Sequence, residues 1–124
     1  MKLPGPDHPI TIKPAGQRVR VILNGETIAD STRALELKEA TYPSVLYIPR
    51  EDAAMALLER TEHRTHCPYK GDASYFSIRT GEGRSENAIW SYEEPFPAMA
   101  EIKGHLAFYT ERVDRIEVGA PQAM

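Results

Sequence analysis

The chain is 124 residues long with 41% hydrophobic residues, which suits one domain with one core and excludes two independently folding units. Its formal net charge of −3 argues against broad binding to nucleic acid or anionic membrane, though not against a local basic pocket. The single cysteine, Cys67, excludes an intrachain disulfide and a four-cysteine zinc site.

Residues 1–17 carry Pro4, Pro6, Pro9 and Pro14 with Gly5 and Gly16, so an extended arm is expected there, with Ile10–Ile12 able to lie along the domain. No apolar run fits a signal peptide or a membrane span. With its free thiol the protein reads as cytosolic. From residue 18 to 118 the patterning predicts a single β-rich domain, followed by a short tail at 119–124. Val19, Val21 and Leu23 alternate within residues 18–23, and Asn24-Gly25 is a strong hairpin signal, because a type I′ turn needs positive φ at both positions. The returning strand spans 26–30, and further short strands are expected at 35–38 and 45–48.

One helix is predicted over about 49–60. Pro49 suits its first turn, Glu51 and Asp52 its positive end, and Arg60 its negative end. Strands follow at 73–79, 88–92, 106–109 and 115–118. Gly81-Glu82-Gly83 turns between the first two, and a short helical turn is expected near 98–102. This count gives a mainly β fold, with antiparallel coiled sheets forming a small sandwich or barrel and one short helix.

Three features could carry chemistry. Arg33 shares parity with Leu35 and Leu37 if the strand keeps its register, which points it inward. It then either grips an anion, pairs with Asp30, Asp52 or a backbone carbonyl, or stands at a strand end and turns out to water. In Cys67-Pro68-Tyr69-Lys70-Gly71, proline and glycine fit a tight turn that brings Cys67 and Lys70 together. Cys67 is there either a thiol nucleophile beside a cation, and so a weak catalytic candidate, or a packing group. Tyr75 shares one strand face with Ala73 and Ser77, and on a second strand Trp90 and Tyr92 share one face with Ala88, with Tyr47 upstream. If those strands pair, the rings line a ligand slot or simply fill the core. His63 and His66 diverge on a strand, so no metal site is expected. No Walker, Rossmann or Gly-x-Ser-x-Gly motif is present, and no cofactor is implied.

In this order, the run 18–23, Ala29-Asp30-Ser31-x-Arg33-Ala34, Tyr47-x-Pro49-x-x-Asp52, Thr65-x-Cys67-Pro68-x-Lys70-Gly71, Ala73-x-Tyr75, Ala88-x-Trp90-x-Tyr92 and Ala107-Phe108-Tyr109 resembles domain-of-unknown-function family 427. The resemblance implies coiled antiparallel sheets around a central cleft. It also brings a nucleotidyltransferase-like label, although the glycine-serine motif and spaced aspartates of the usual nucleotidyltransferases are missing from this chain. Ile48 stands where members often carry a second aromatic. The ligand-binding candidates are therefore Arg33, Tyr47, Cys67, Lys70, Tyr75, Trp90 and Tyr92. Three functions compete: binding of a small anionic, partly planar ligand in a cleft between sheets, a non-catalytic homodimer module pairing through edge strands, and thiol chemistry at Cys67.

Overall fold

The computed structural model describes residues 1–119. Five strands make up the first half: β1 (Ile10–Pro14), β2 (Val19–Leu23), β3 (Glu26–Ser31), β4 (Leu35–Glu39) and β5 (Val45–Tyr47). Five more follow: β6 (Leu58–Cys67), β7 (Gly71–Thr80), β8 (Gly83–Ser91), β9 (Ala107–Phe108) and β10 (Arg115–Val118). They form three antiparallel sheets, ordered β1-β4-β5, β10-β2-β3 and β6-β7-β8-β9. None of the described strands closes a barrel, so the expected mainly β, antiparallel fold takes its sandwich-like form.

Local chemistry accounts for the joints. Asn24 (φ 51°) and Gly25 (φ 78°) supply the two left-handed residues that fold β2 back on β3. The Asn24 amide then donates to Thr80 Oγ1 at 2.8 Å, tying the hairpin tip to β7. Ile48 and Leu106 exchange both of their N–H···O bonds at 2.8 Å. That single reciprocal pair joins the β1-β4-β5 sheet to the four-stranded sheet. Ile48 and Leu106 are both buried, so the junction lies inside the protein.

Two clusters of apolar side chains result. The first sets Val19, Val21 and Ile28 of the β10-β2-β3 sheet against Phe76, Ile78 and Ile89 of the four-stranded sheet. The second gathers Leu37, Tyr47, Ala73, Tyr75 and Tyr92 with Met99 and Ile102. β7 is buried on both faces and therefore belongs to both: its even residues Phe76 and Ile78 serve one core, its odd residues Ala73 and Tyr75 the other.

Three expectations change in detail. The predicted helix over 49–60 is two 3-10 turns, Arg50–Asp52 and Met55–Leu57. Ala53 between them is extended and bridges Ala29, and the Ala54 N–H donates to the Ile28 carbonyl at 2.8 Å. Pairing with β3 therefore interrupts the helix, and from Leu58 the chain pairs with β7. Tertiary hydrogen bonding outweighs the local helical preference. Within residues 1–17, Gly5 and His8 bridge across a turn, and Ile10–Pro14 forms a strand that pairs with β4. The tail from residue 120 lies outside the described residues.

Candidate functional site

Between β4–β5 and β7–β8 lies a hollow of about 270 Å³. β4 gives it Leu37 and Glu39, β5 gives Val45 and Tyr47, and the turn between them gives Tyr42 and Pro43. The opposite side consists of Lys70, Tyr75, Trp90, Tyr92 and Tyr109. Tyr75 and Trp90 are register partners on β7 and β8, which places both rings on one face. Trp90 lies 4.5 Å from Tyr109, centroid to centroid, and Tyr75 stacks on Tyr109 at 6.5 Å. The Trp90 indole N–H donates to the Tyr47 hydroxyl at 3.3 Å. Tyr75 shares hydrogen bonds with Tyr109 (3.3 Å) and Thr65 (3.0 Å), so the aromatic wall is fixed from behind.

The polar floor comes from a turn and a strand end. Cys67 ends β6, residues 68–70 turn, and Gly71 opens β7 at φ 112°, a conformation open to glycine alone. The turn buries Lys70, which is 6% exposed, and its ammonium donates to Glu39 Oε1. Lys70 Nζ is also 3.8 Å from Cys67 Sγ and sits over the Tyr92 ring at 5.9 Å. The other Glu39 oxygen meets His8 Nε2 at 2.7 Å. His8 itself stacks on Tyr69 at 4.0 Å, and the Lys2 N–H donates to the Pro68 carbonyl, so the N-terminal segment braces the turn from outside.

Electrostatics follow from burial. Burial alone would raise the Glu39 carboxyl, but hydrogen bonds from Lys70 and His8 outweigh it and hold the group below its ordinary value. Burial pushes the Tyr47 and Tyr92 phenols well above the usual tyrosine range. Tyr109 is pushed up to about 12, by burial first and then by its hydrogen bond with Tyr75. These hydroxyls are neutral at physiological pH and act as hydrogen-bonding groups.

Five of the seven residues singled out from sequence therefore line one hollow: Tyr47, Lys70, Tyr75, Trp90 and Tyr92. Cys67 adjoins it through Lys70. Arg33 does not line it. The chain bends after β3, where Ser31 Oγ accepts the Arg33 N–H at 2.9 Å, and the neighbouring Ala34 goes into the core instead. The Arg33 guanidinium is 56% exposed, pairs with Glu51 and Asp52, and lines a separate recess with Arg50 and His105. His63 packs on Tyr75 and His66 pairs with Asp72 at 2.7 Å; among the described residues no three metal-ligating side chains gather.

Sequence reasoning missed Glu39, Tyr109 and His8. A signal existed for the first: Glu39 continues the inward parity of Leu35 and Leu37, an acidic group on an apolar face. Tyr109 likewise shares the parity of Ala107. His8 left no periodic trace.

A family model described as Domain of unknown function (DUF427), with the short label NTP_transf_9, matches residues 11–119. The chain belongs to this family. The DUF427 match begins within β1, so the strand formed by the proline-rich arm is part of the family domain. No curated protein matches the chain. Ile48 is buried in the first core and does not line the hollow.

Proposed function

We propose that this domain binds a small planar heterocycle, with the ring held against Trp90 and Tyr109 and its polar edge against Lys70 and Glu39. The observation that carries the reading is that an aromatic wall and a buried ion pair line the same hollow of about 270 Å³. Apolar pockets with a few convergent polar groups are the usual form of small-molecule sites. The ion pair has bonding capacity to spare. An ammonium has three donors, of which Lys70 directs one to Glu39 and one towards Cys67. Each Glu39 oxygen has one protein partner and can accept another bond. A cyclic lactam, with adjacent N–H and C=O, matches that donor–acceptor edge.

The charge balance favours a neutral ring over an anion. Lys70 is matched by Glu39, and Arg33, the second cation expected here, belongs to another recess. The test is ligand-observed NMR and calorimetry with 2-quinolone, and with N-methyl-2-quinolone, in which the edge is blocked. We expect 2-quinolone to bind roughly tenfold or more tighter than its N-methyl form, since a hydrogen bond to a charged group contributes about 1.5–3 kcal/mol. Glu39→Gln, checked for folding by circular dichroism, should reduce that preference, whereas Lys70→Met should weaken binding of both quinolones alike, because both keep the carbonyl that Lys70 would bind. Absence of binding by both quinolones refutes the reading, and equal binding refutes the role of the ion pair.

A further inference from the structure

A second recess, of about 370 Å³, opens beside the hollow and is walled by Leu46, Phe108, Ile116 and Val118. Val45, Trp90 and Tyr109 line both spaces, so the two meet along one aromatic ridge. Their chemistry differs. The hollow has the Lys70–Glu39 pair, whereas the only charged residue described along the second recess is Glu111. Val118 is 48% exposed, one of few large apolar side chains left open to solvent, and Ile116 and Leu46 are half-buried. An apolar surface of this kind that continues a polar aromatic pocket has the form expected for one ligand with two chemically distinct parts.

We infer that the ligand is amphiphilic: a planar polar ring in the hollow, carrying an uncharged apolar arm that crosses the Trp90–Tyr109 ridge into the second recess. This rests on the planar-ring reading above and names the ligand class more narrowly. The arm is aliphatic or aryl, because the recess has no basic side chain to receive an acid among its described residues, and Glu111 opposes one.

The test uses 2-quinolone and a set of isomers carrying an n-propyl arm at each ring carbon in turn. Burying three methylene-sized groups should improve affinity for the best isomer by at least about tenfold over the bare ring. Val118→Glu, which puts a charge at a half-exposed position, should abolish that gain and leave the affinity of 2-quinolone itself unchanged. Val118→Trp, which fills the recess instead, should do the same. If the bare ring binds but no isomer gains, or if the gain survives both substitutions, the apolar arm is refuted while the planar pocket stands. If the bare ring fails to bind, the planar-pocket reading is wrong and this inference falls with it.

Discussion

Gly71 shows how much of the site depends on one backbone angle. At φ 112° it stands in a region that side chains avoid, directly after the lysine that the hollow uses. The space around it is ordinary: a Cβ there would meet the Glu94 carbonyl at 3.5 Å, a normal contact. The cost of Gly71→Ala is therefore conformational and not a clash. We expect a loss of about 1–2 kcal/mol in chemical denaturation, together with weaker 2-quinolone binding, because relaxing residue 71 moves Lys70. Wild-type stability in this variant would show that the turn tolerates another geometry. The turn itself was legible, since Pro68 and Gly71 bracket it and predict the meeting of Cys67 and Lys70. The acidic partner was overlooked because Glu39 closes a strand that is otherwise read only for its leucines.

At the scale of elements, alternation made most strands visible: β2, β4, β5 and β7 each place branched or aromatic residues on a buried face, and β10 half-buries Ile116. β6 was not visible. Its sequence Leu-Glu-Arg-Thr-Glu-His-Arg-Thr-His-Cys is mostly exposed on both faces, so it has no apolar period, and its first residues resemble a helix end. β1 was hidden by the prolines at its borders. The inward orientation expected of Arg33 failed for a related reason, since parity extends only as far as the strand and β4 starts at Leu35, whereas its alternative pairing with Asp52 is present. The character of β6 also bears on assembly. It is the open edge of its sheet, yet it carries Arg60, Glu62, His63, Arg64 and His66 and shifts register between Arg60 and Arg64. Charges and bulges on an edge strand discourage pairing with a second copy. Light scattering should accordingly give the mass of a single chain at micromolar concentration, and a dimer that persists on dilution would contradict this.

For the whole molecule, charge pairing predicts the response to acid. Asp30 is held below its ordinary value chiefly by its hydrogen bond with Arg18, and Asp52 by Ser31 and then Arg33. For Glu39 and Glu93, burial acts in the opposite direction but is outweighed by Lys70 and His8 and by Arg60. In all four the folded protein binds the proton less readily than the unfolded chain, whose carboxylates titrate near pH 4. Their contribution is thus complete above about pH 5 and is lost as pH falls through the lower folded values. The melting temperature should be level between about pH 5 and 7 and decline below about pH 4. Glu39→Gln should make that decline shallower. A decline that begins above pH 6 would point to other groups.

The exchange of two hydrogen bonds between Ile48 and Leu106 also governs how anything could enter the hollow. Both amides lie in the interior, so separating the two sheets there requires breaking the core, and hydrogen exchange at these positions should be as slow as global unfolding. On the ligand reading proposed above, a guest would therefore have to enter without the two sheets parting at this pair. If the hollow takes a ligand as proposed, its way in passes the short stretch between β4 and β5, where Tyr42 is 60% exposed at the rim.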